Sequence, residues 1–234
     1  MRMLRAAESR GAWPSDLGWW TRAVLLVFLA LVGAAGATAA PRLAPAKGRL
    51  LIAGRALGDA NFSHSVILLL EYSEEGALGV IVNRPAGIPP AALLPDVSGL
   101  ARYEGSVFLG GPVGVERMLL LVRGCDRLAA TQPVYGDVCY SGSAEVLDEL
   151  ARTGDAKPER VRMYAGYSGW GGGQLEREIA RGDWHVAEAR DERVFSEDPF
   201  ALWERLAPAP EPIETRIRRP PADVVVALTT STDR

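Results

Sequence analysis

The chain has 234 residues and a net charge of −3, with 48% hydrophobic and 24% charged residues, ordinary values for one globular domain with tails. The first forty residues carry Arg2, Arg5, Arg10 and Arg22 against Glu8 and Asp16, which leaves the remainder at −5. An acidic body lacks the basic footprint that supplies most phosphate-backbone affinity, so nucleic acid is not an expected partner.

Residues 1–40 read as a signal peptide or an N-terminal membrane anchor. A charged lead ends at Arg22, Ala23–Val32 is strongly apolar, and small residues follow, with Ala-x-Ala at Ala37-Thr38-Ala39. The apolar part falls short of the roughly 20 residues that a spanning helix needs, which favours the cleaved signal. Membrane contact, if any, runs through residues 23–40. Either reading sends the rest of the chain out of the cytoplasm, because the arginines stay inside. A mis-assigned start codon is the third reading and leaves the domain cytoplasmic.

Residues 41–206 carry the globular pattern. Arg49–Gly54 is a short apolar strand, followed by a Gly/Asp/Asn loop. Ser65–Tyr72 is nearly all apolar and reads as a strand buried on both faces. A turn at Gly76 returns it as Leu78–Pro85, a central hairpin. A Pro-rich stretch with one helical turn at Ala91–Leu94 precedes strands at Ser106–Val113 and Glu116–Gly124. A further strand ends near Ser143, which caps a helix over residues 144–153. That helix has Glu145 in its first turn, Gly154 past its end, and a buried stripe of Val146, Leu147 and Leu150. Arg160–Tyr167 alternates with Val161, Met163 and Ala165 on one face. The glycine-rich loop Gly166–Gln174 and a short helix follow, with Leu175 and Ile179 packing back and Gly182 ending it. Asp183–Ala189 is another strand. Ser196–Ala207 reads as a final helix with Asp198 as cap, Pro199 in its first turn, and Phe200, Trp203 and Leu206 on its packed side. Residues 207–234 are Pro-rich and read as a disordered tail. The order predicts an α+β fold: a single compact domain with a mixed, largely antiparallel sheet and flanking helices.

Three blocks at these spacings, Gly48–Pro85 with its Asn-Arg-Pro ending, Phe108–Val113 (Phe-Leu-Gly-Gly-Pro-Val), and Gly166–Trp184 with Gly-Tyr-Ser-Gly-Trp-Gly-Gly-Gly-Gln-Leu, resemble the bacterial AlgH/YqgE family over Gly48–Leu206. The resemblance implies a compact α+β domain with mixed sheets. Some members carry the name of transcriptional regulators and are linked by name to alginate synthesis, and no catalytic residues are established to carry over. Relatives usually have His after the Glu of the first hairpin, where this chain has Tyr72 after Glu71, and they are typically cytosolic. An exported domain cannot touch the chromosome, which puts a transcriptional role in doubt.

The loop Gly166–Gln174 invites two enzymatic readings. As a phosphate cradle it fails: a G-x-G-x-x-G from Gly169 meets Gln174, and a P-loop from Gly166 has no Lys and Ser/Thr after Gly171. Glu176 and Glu178 at the helix start repel a phosphate. As a nucleophile elbow around Ser168 it meets Trp170 where glycine is required, with His64 and His185 as the available bases. The packing reading is a chain corner in which glycines give room for the Trp170 ring and its N–H seeks a partner. Asn83 and Arg84 at a strand end serve a ligand or a neighbouring turn and a carboxylate, and Gly110-Gly111-Pro112 reads as a turn.

A functional surface, if the family blocks share one, joins Asn83 and Arg84, Gly110 and Gly111, and Tyr167, Trp170 and Gln174 in one pocket. Cys125 and Cys139 either pair as a disulfide in an oxidising compartment or stay buried thiols. Their spacing and the two distant histidines give no metal site, and no cofactor is expected. The leading expectation is a non-enzymatic binding or regulatory protein with a protein or small-molecule partner. The alternative is a hydrolase or nucleotide-dependent enzyme using residues 166–174.

Overall fold

The computed structural model describes residues 43–209, so the leader and nearly all of the Pro-rich tail lie outside the described residues. Nine strands form one mixed sheet: β1 Arg49–Ala53, β2 Val66–Ser73, β3 Gly76–Ile81, β4 Phe108–Leu109, β5 Val113–Arg123, β6 Gln132–Tyr135, β7 Val138–Ser141, β8 Val161–Gly171 and β9 Trp184–Glu188. Among the described residues five α-helices accompany them: α1 Pro90–Leu93, α2 Ala144–Thr153, α3 Gln174–Arg181, α4 Asp191–Val194 and α5 Leu202–Leu206. The fold is α+β, as expected.

The main path through the sheet runs β6-β7-β5-β8-β3-β2-β1-β9, all antiparallel, and β4 joins β8 in parallel. The sheet curls. Tyr140 on β7 reaches across to donate to Glu71 on β2 at 3.0 Å, and Glu71 also pairs with Lys47 at 2.7 Å. Strand β8 is the hub. Its first half pairs with β5, from Val122↔Val161 to Met118↔Ala165, and its second half pairs with β3, from Gly79↔Ser168 to Gly76↔Gly171.

The period-two pattern of β8 separates two cores. Val161 and Met163 face a smaller core that includes Leu120, Val122 and the α2 stripe of Val146, Leu147 and Leu150. Tyr164 faces the larger core around β1, β2 and β3, in which Leu50, Leu68 and Ile81 are fully buried. Each such side chain removed from water contributes about 1.5–3 kcal/mol. The expected alternation is present, but both faces are covered, and Arg162 and Tyr164 are buried along with their apolar neighbours.

Helix α2 has its expected ends. Ser143 accepts a bond from Val146 N, and Gly154 closes it in a left-handed conformation at φ 76°. Three expectations are corrected. The glycine-rich stretch is strand, not loop, as far as Gly171, because β3 pairs with it residue by residue. The last helix is confined to Leu202–Leu206. Before it, Asp198 Oδ1 accepts from Ala201 N across a tight turn, and Phe200 is 74% exposed instead of packed. Strand β6 and helix α4 had no periodic apolar signal and were not expected; β6 holds its place by pairing with β7. No helix among the described residues is long and apolar enough to cross a membrane.

Candidate functional site

The seven residues drawn from the sequence blocks lie just past β3, between β4 and β5, on β8 and at the start of α3. Their polar groups serve the chain itself. Asn83 is 8% exposed, accepts from Val66 N at 2.8 Å and donates to the His64 carbonyl at 2.9 Å. Arg84 donates to the carbonyls of Asn61 and Ser63 at 2.7 and 3.3 Å, not to a carboxylate, and burial lowers its pKa. Both residues therefore fix the backbone of the loop before β2. From the other side Phe62 on that loop stacks on Trp170, with ring centroids 6.3 Å apart, and meets Trp184 edge-on at 5.7 Å. Asn83, Arg84 and Trp170 thus converge on one loop and fasten it.

Trp170 is buried, and its N–H donates to Glu178 Oε2 at 2.8 Å; the Trp184 N–H donates to the same oxygen at 2.8 Å. Gln174 donates to Glu178 Oε1 at 2.9 Å and accepts from Gly171 N, so it works as a brace. Gly110 and Gly111 pack against β8. A Cβ on Gly110 would lie 2.2 Å from the Gly166 carbonyl oxygen, and one on Gly111 2.3 Å from the Tyr167 backbone. Tyr167 itself is half-buried against the larger core. Ser168 is fully buried and donates to the Gly110 carbonyl at 3.1 Å. His64 stands edge-on to Trp203 at 4.2 Å, and His185 lies within β9 opposite Ile52. Cys125 and Cys139 are joined by a disulfide that ties the end of β5 to β7, with Cα atoms 6.2 Å apart. Among the described residues no cluster of three or more His, Cys, Asp or Glu could hold a metal.

A cleft of about 960 Å³ sits where β4, β5 and β8 meet the segment after β9. On one wall Arg123 pairs with Asp191 at 2.6 Å, and Tyr135 donates to the other oxygen of Asp191. Burial and the Asp191 charge push the Tyr135 hydroxyl well above its usual pKa. At the centre is Arg162, 7% exposed. Its guanidinium lies 4.7 Å from the Phe108 ring centroid and 5.6 Å from that of Phe195. Nη2 donates to the Ser196 carbonyl at 2.6 Å, and Nη1 is enclosed, as is the buried Tyr164 hydroxyl that the guanidinium faces. Arg205, on the rim, donates to Ser196 Oγ at 2.9 Å and to the Asp198 carbonyl. Neither Arg162 nor Arg205 makes an ion pair among the described residues. Two guanidiniums without carboxylates meet at one serine.

None of these cleft residues was singled out from the sequence as a site residue. Arg162 did leave a signal: a charged residue opposite Val161 and Met163 in an otherwise apolar strand. Phe195 and Ser196 left none, since they lie in a short irregular segment.

A family model described as AlgH-like matches residues 50–209. A UPF0301 protein of Methylococcus capsulatus is 39% identical over 164 residues, covering 69% of this chain and 89% of that protein. A UPF0301 protein of Streptomyces coelicolor is 39% identical over 158 residues, covering 67% and 82%. Among solved structures, the AlgH protein from Pseudomonas aeruginosa is similar at 30% identity and a TM-score of 0.55, covering 67% of this chain and 85% of that one. Protein DIP2367 from Corynebacterium diphtheriae shares the fold at 22% identity and a TM-score of 0.61, covering 78% and 91%.

Proposed function

The chain belongs to the AlgH-like family, and from that premise we propose that it is a non-enzymatic binding protein that acts outside the cytoplasm and takes its ligand in the Arg162 cleft. One observation carries the reading. Arg162 and Arg205, neither ion-paired among the described residues, converge on Ser196 at the wall of the cleft, and a buried cation without a counter-charge is costly unless something pairs with it. Binding is favoured over catalysis at residues 166–174 because that segment is strand and tight turn, and its serine is enclosed. The leader and the disulfide support export, since disulfides persist in oxidising compartments.

Two experiments test this. A soluble-metabolite library screened by thermal shift should yield ligands that raise the Tm of the native chain but not of Arg205→Ala. A screen without such ligands, together with turnover of a generic ester or nucleotide, would replace binding by the enzymatic reading. Cell fractionation with N-terminal sequencing should find a mature start near Ala40 in the soluble export fraction, or an intact leader in the membrane. Purely cytosolic protein would overturn the location.

A further inference from the structure

We propose that the outer edge of β9 is a docking site for this chain's own C-terminal segment Val224–Leu228, which adds there as a further strand. The cleft and its ligand play no part in this.

The phase of the β1–β9 ladder leaves that edge open. Gly54 N donates to the Asp183 carbonyl at 2.8 Å, at the position next to the Ala53↔Trp184 pair. An antiparallel ladder alternates, so Asp183, His185 and Ala187 turn their N–H and C=O groups to β1, and Trp184, Val186 and Glu188 turn theirs away. Among the described residues β9 ends the sheet path and has β1 as its one strand partner. The Glu188 carbonyl accepts from Arg193 Nη1 at 2.9 Å, but no described residue bonds to the outward main-chain groups of Trp184 and Val186.

The other end of the path, β6, is blunted by Pro133, which has no N–H to offer; β9 has neither proline nor lysine. An unpaired edge of this kind takes up an extended segment through main-chain bonds. Both faces beside it are apolar: Val186 on one and Ala187 on the other are partly buried against the larger core. A strand laid next to them therefore needs apolar side chains on both of its own faces, not an alternation.

The tail carries such a segment outside the described residues. Its prolines stop at Pro221, and Val224-Val225-Val226-Ala227-Leu228-Thr229-Thr230 follows, uncharged and rich in the β-branched residues that suit strands. The tether starts close by. Trp203 donates to the carbonyl of Ala53, the residue opposite Trp184, and Arg55 Nε donates to the Pro208 carbonyl at 3.0 Å. Residues 210–221 span about 35 Å when extended, roughly twice the length of β9, so the segment reaches either end of that strand. The AlgH-like match stops at residue 209, so the segment lies beyond the matched domain.

Residue-resolved amide hydrogen exchange by NMR on the full chain tests this, with Val226→Pro and a chain ending at Pro221 as comparisons. Both changes lie outside the domain, and the Leu68 amide, in the middle of the sheet, reports that the fold is intact. The Val186 N–H, which β1 does not hold, is expected to exchange roughly tenfold or more slowly in the native chain than in either variant, with the amides of Val224–Leu228 slowed alongside it. A Val186 amide that exchanges equally in all three chains would overturn the proposal. Slowing that fades as the protein is diluted would overturn it as well, because the added strand would then come from a second copy.

Discussion

The Trp170 indole N–H donates to Glu178 Oε2 at 2.8 Å, which ties the end of β8 to the helix that begins three residues after it. The Trp184 N–H reaches the same oxygen, so one carboxylate joins β8, α3 and β9. Glu178→Ala leaves two indole N–H groups without their acceptor. The loss should be about 2–4 kcal/mol, since a hydrogen bond to a charged group is worth roughly 1.5–3. Glu178→Gln keeps an acceptor and should cost less. Urea unfolding of the two variants checks the order; equal stability of Glu178→Ala and the native chain would refute the brace.

Gly110→Ala places a methyl group 2.2 Å from the Gly166 carbonyl oxygen, where backbone meets backbone and no side chain can yield. Strain on β4 and β8 should cost about 2 kcal/mol or more. A midpoint within about 0.3 kcal/mol of the native value would show that β4 shifts freely.

The disulfide closes a loop with a sequence separation of 14, which corresponds to about 3 kcal/mol of restricted unfolded-chain entropy. Reduction, or replacement of both cysteines by alanine, should lower the urea midpoint by that measure. Thiol labelling of protein isolated from its own cells should find both cysteines blocked before reduction.

Alkaline pH should weaken the fold. Burial pushes the Tyr103 hydroxyl from 10.0 to about 12, and burial with the Glu71 hydrogen bond does the same for Tyr140. Below pH 10 both are protonated in the folded and unfolded chain, and their contribution is complete. Between pH 10 and 12 the unfolded chain loses these protons first, so stability falls as pH rises, by about 2–3 kcal/mol for the well-buried Tyr103. Tyr103→Phe gives up the bond to the Val161 carbonyl, about 1 kcal/mol at neutral pH, and should flatten that alkaline decline. An unchanged pH slope in the variant would remove Tyr103 from the account.

The difference between the legible and the hidden follows the range of the interactions. Helix α2 could be read to its caps because Ser143, the apolar stripe and Gly154 all act within a few residues of one another. The β2–β3 hairpin was legible for the same reason. Phe200 was misplaced because its i, i+3 spacing to Trp203 fits a packed helix, yet the chain at Phe200 makes a turn that leaves it outside, while Trp203, donating to the Ala53 carbonyl at 2.8 Å, and Leu206 turn inward. The glycine stretch looked like a loop because glycine favours none; its strand conformation comes from β3, some ninety residues earlier.

By itself the sequence determined the α+β class, the family blocks, the central hairpin and the capped helices, all of which rest on local periodicity and short-range capping. Tertiary structure alone decided that Asn83, Arg84 and Trp170 converge on the loop before β2. It alone also brought Arg162 of β8 to Ser196, 34 positions further on. Whether a buried guanidinium is paired depends on what the folded chain places around it, and no pattern of neighbours along the chain encodes that.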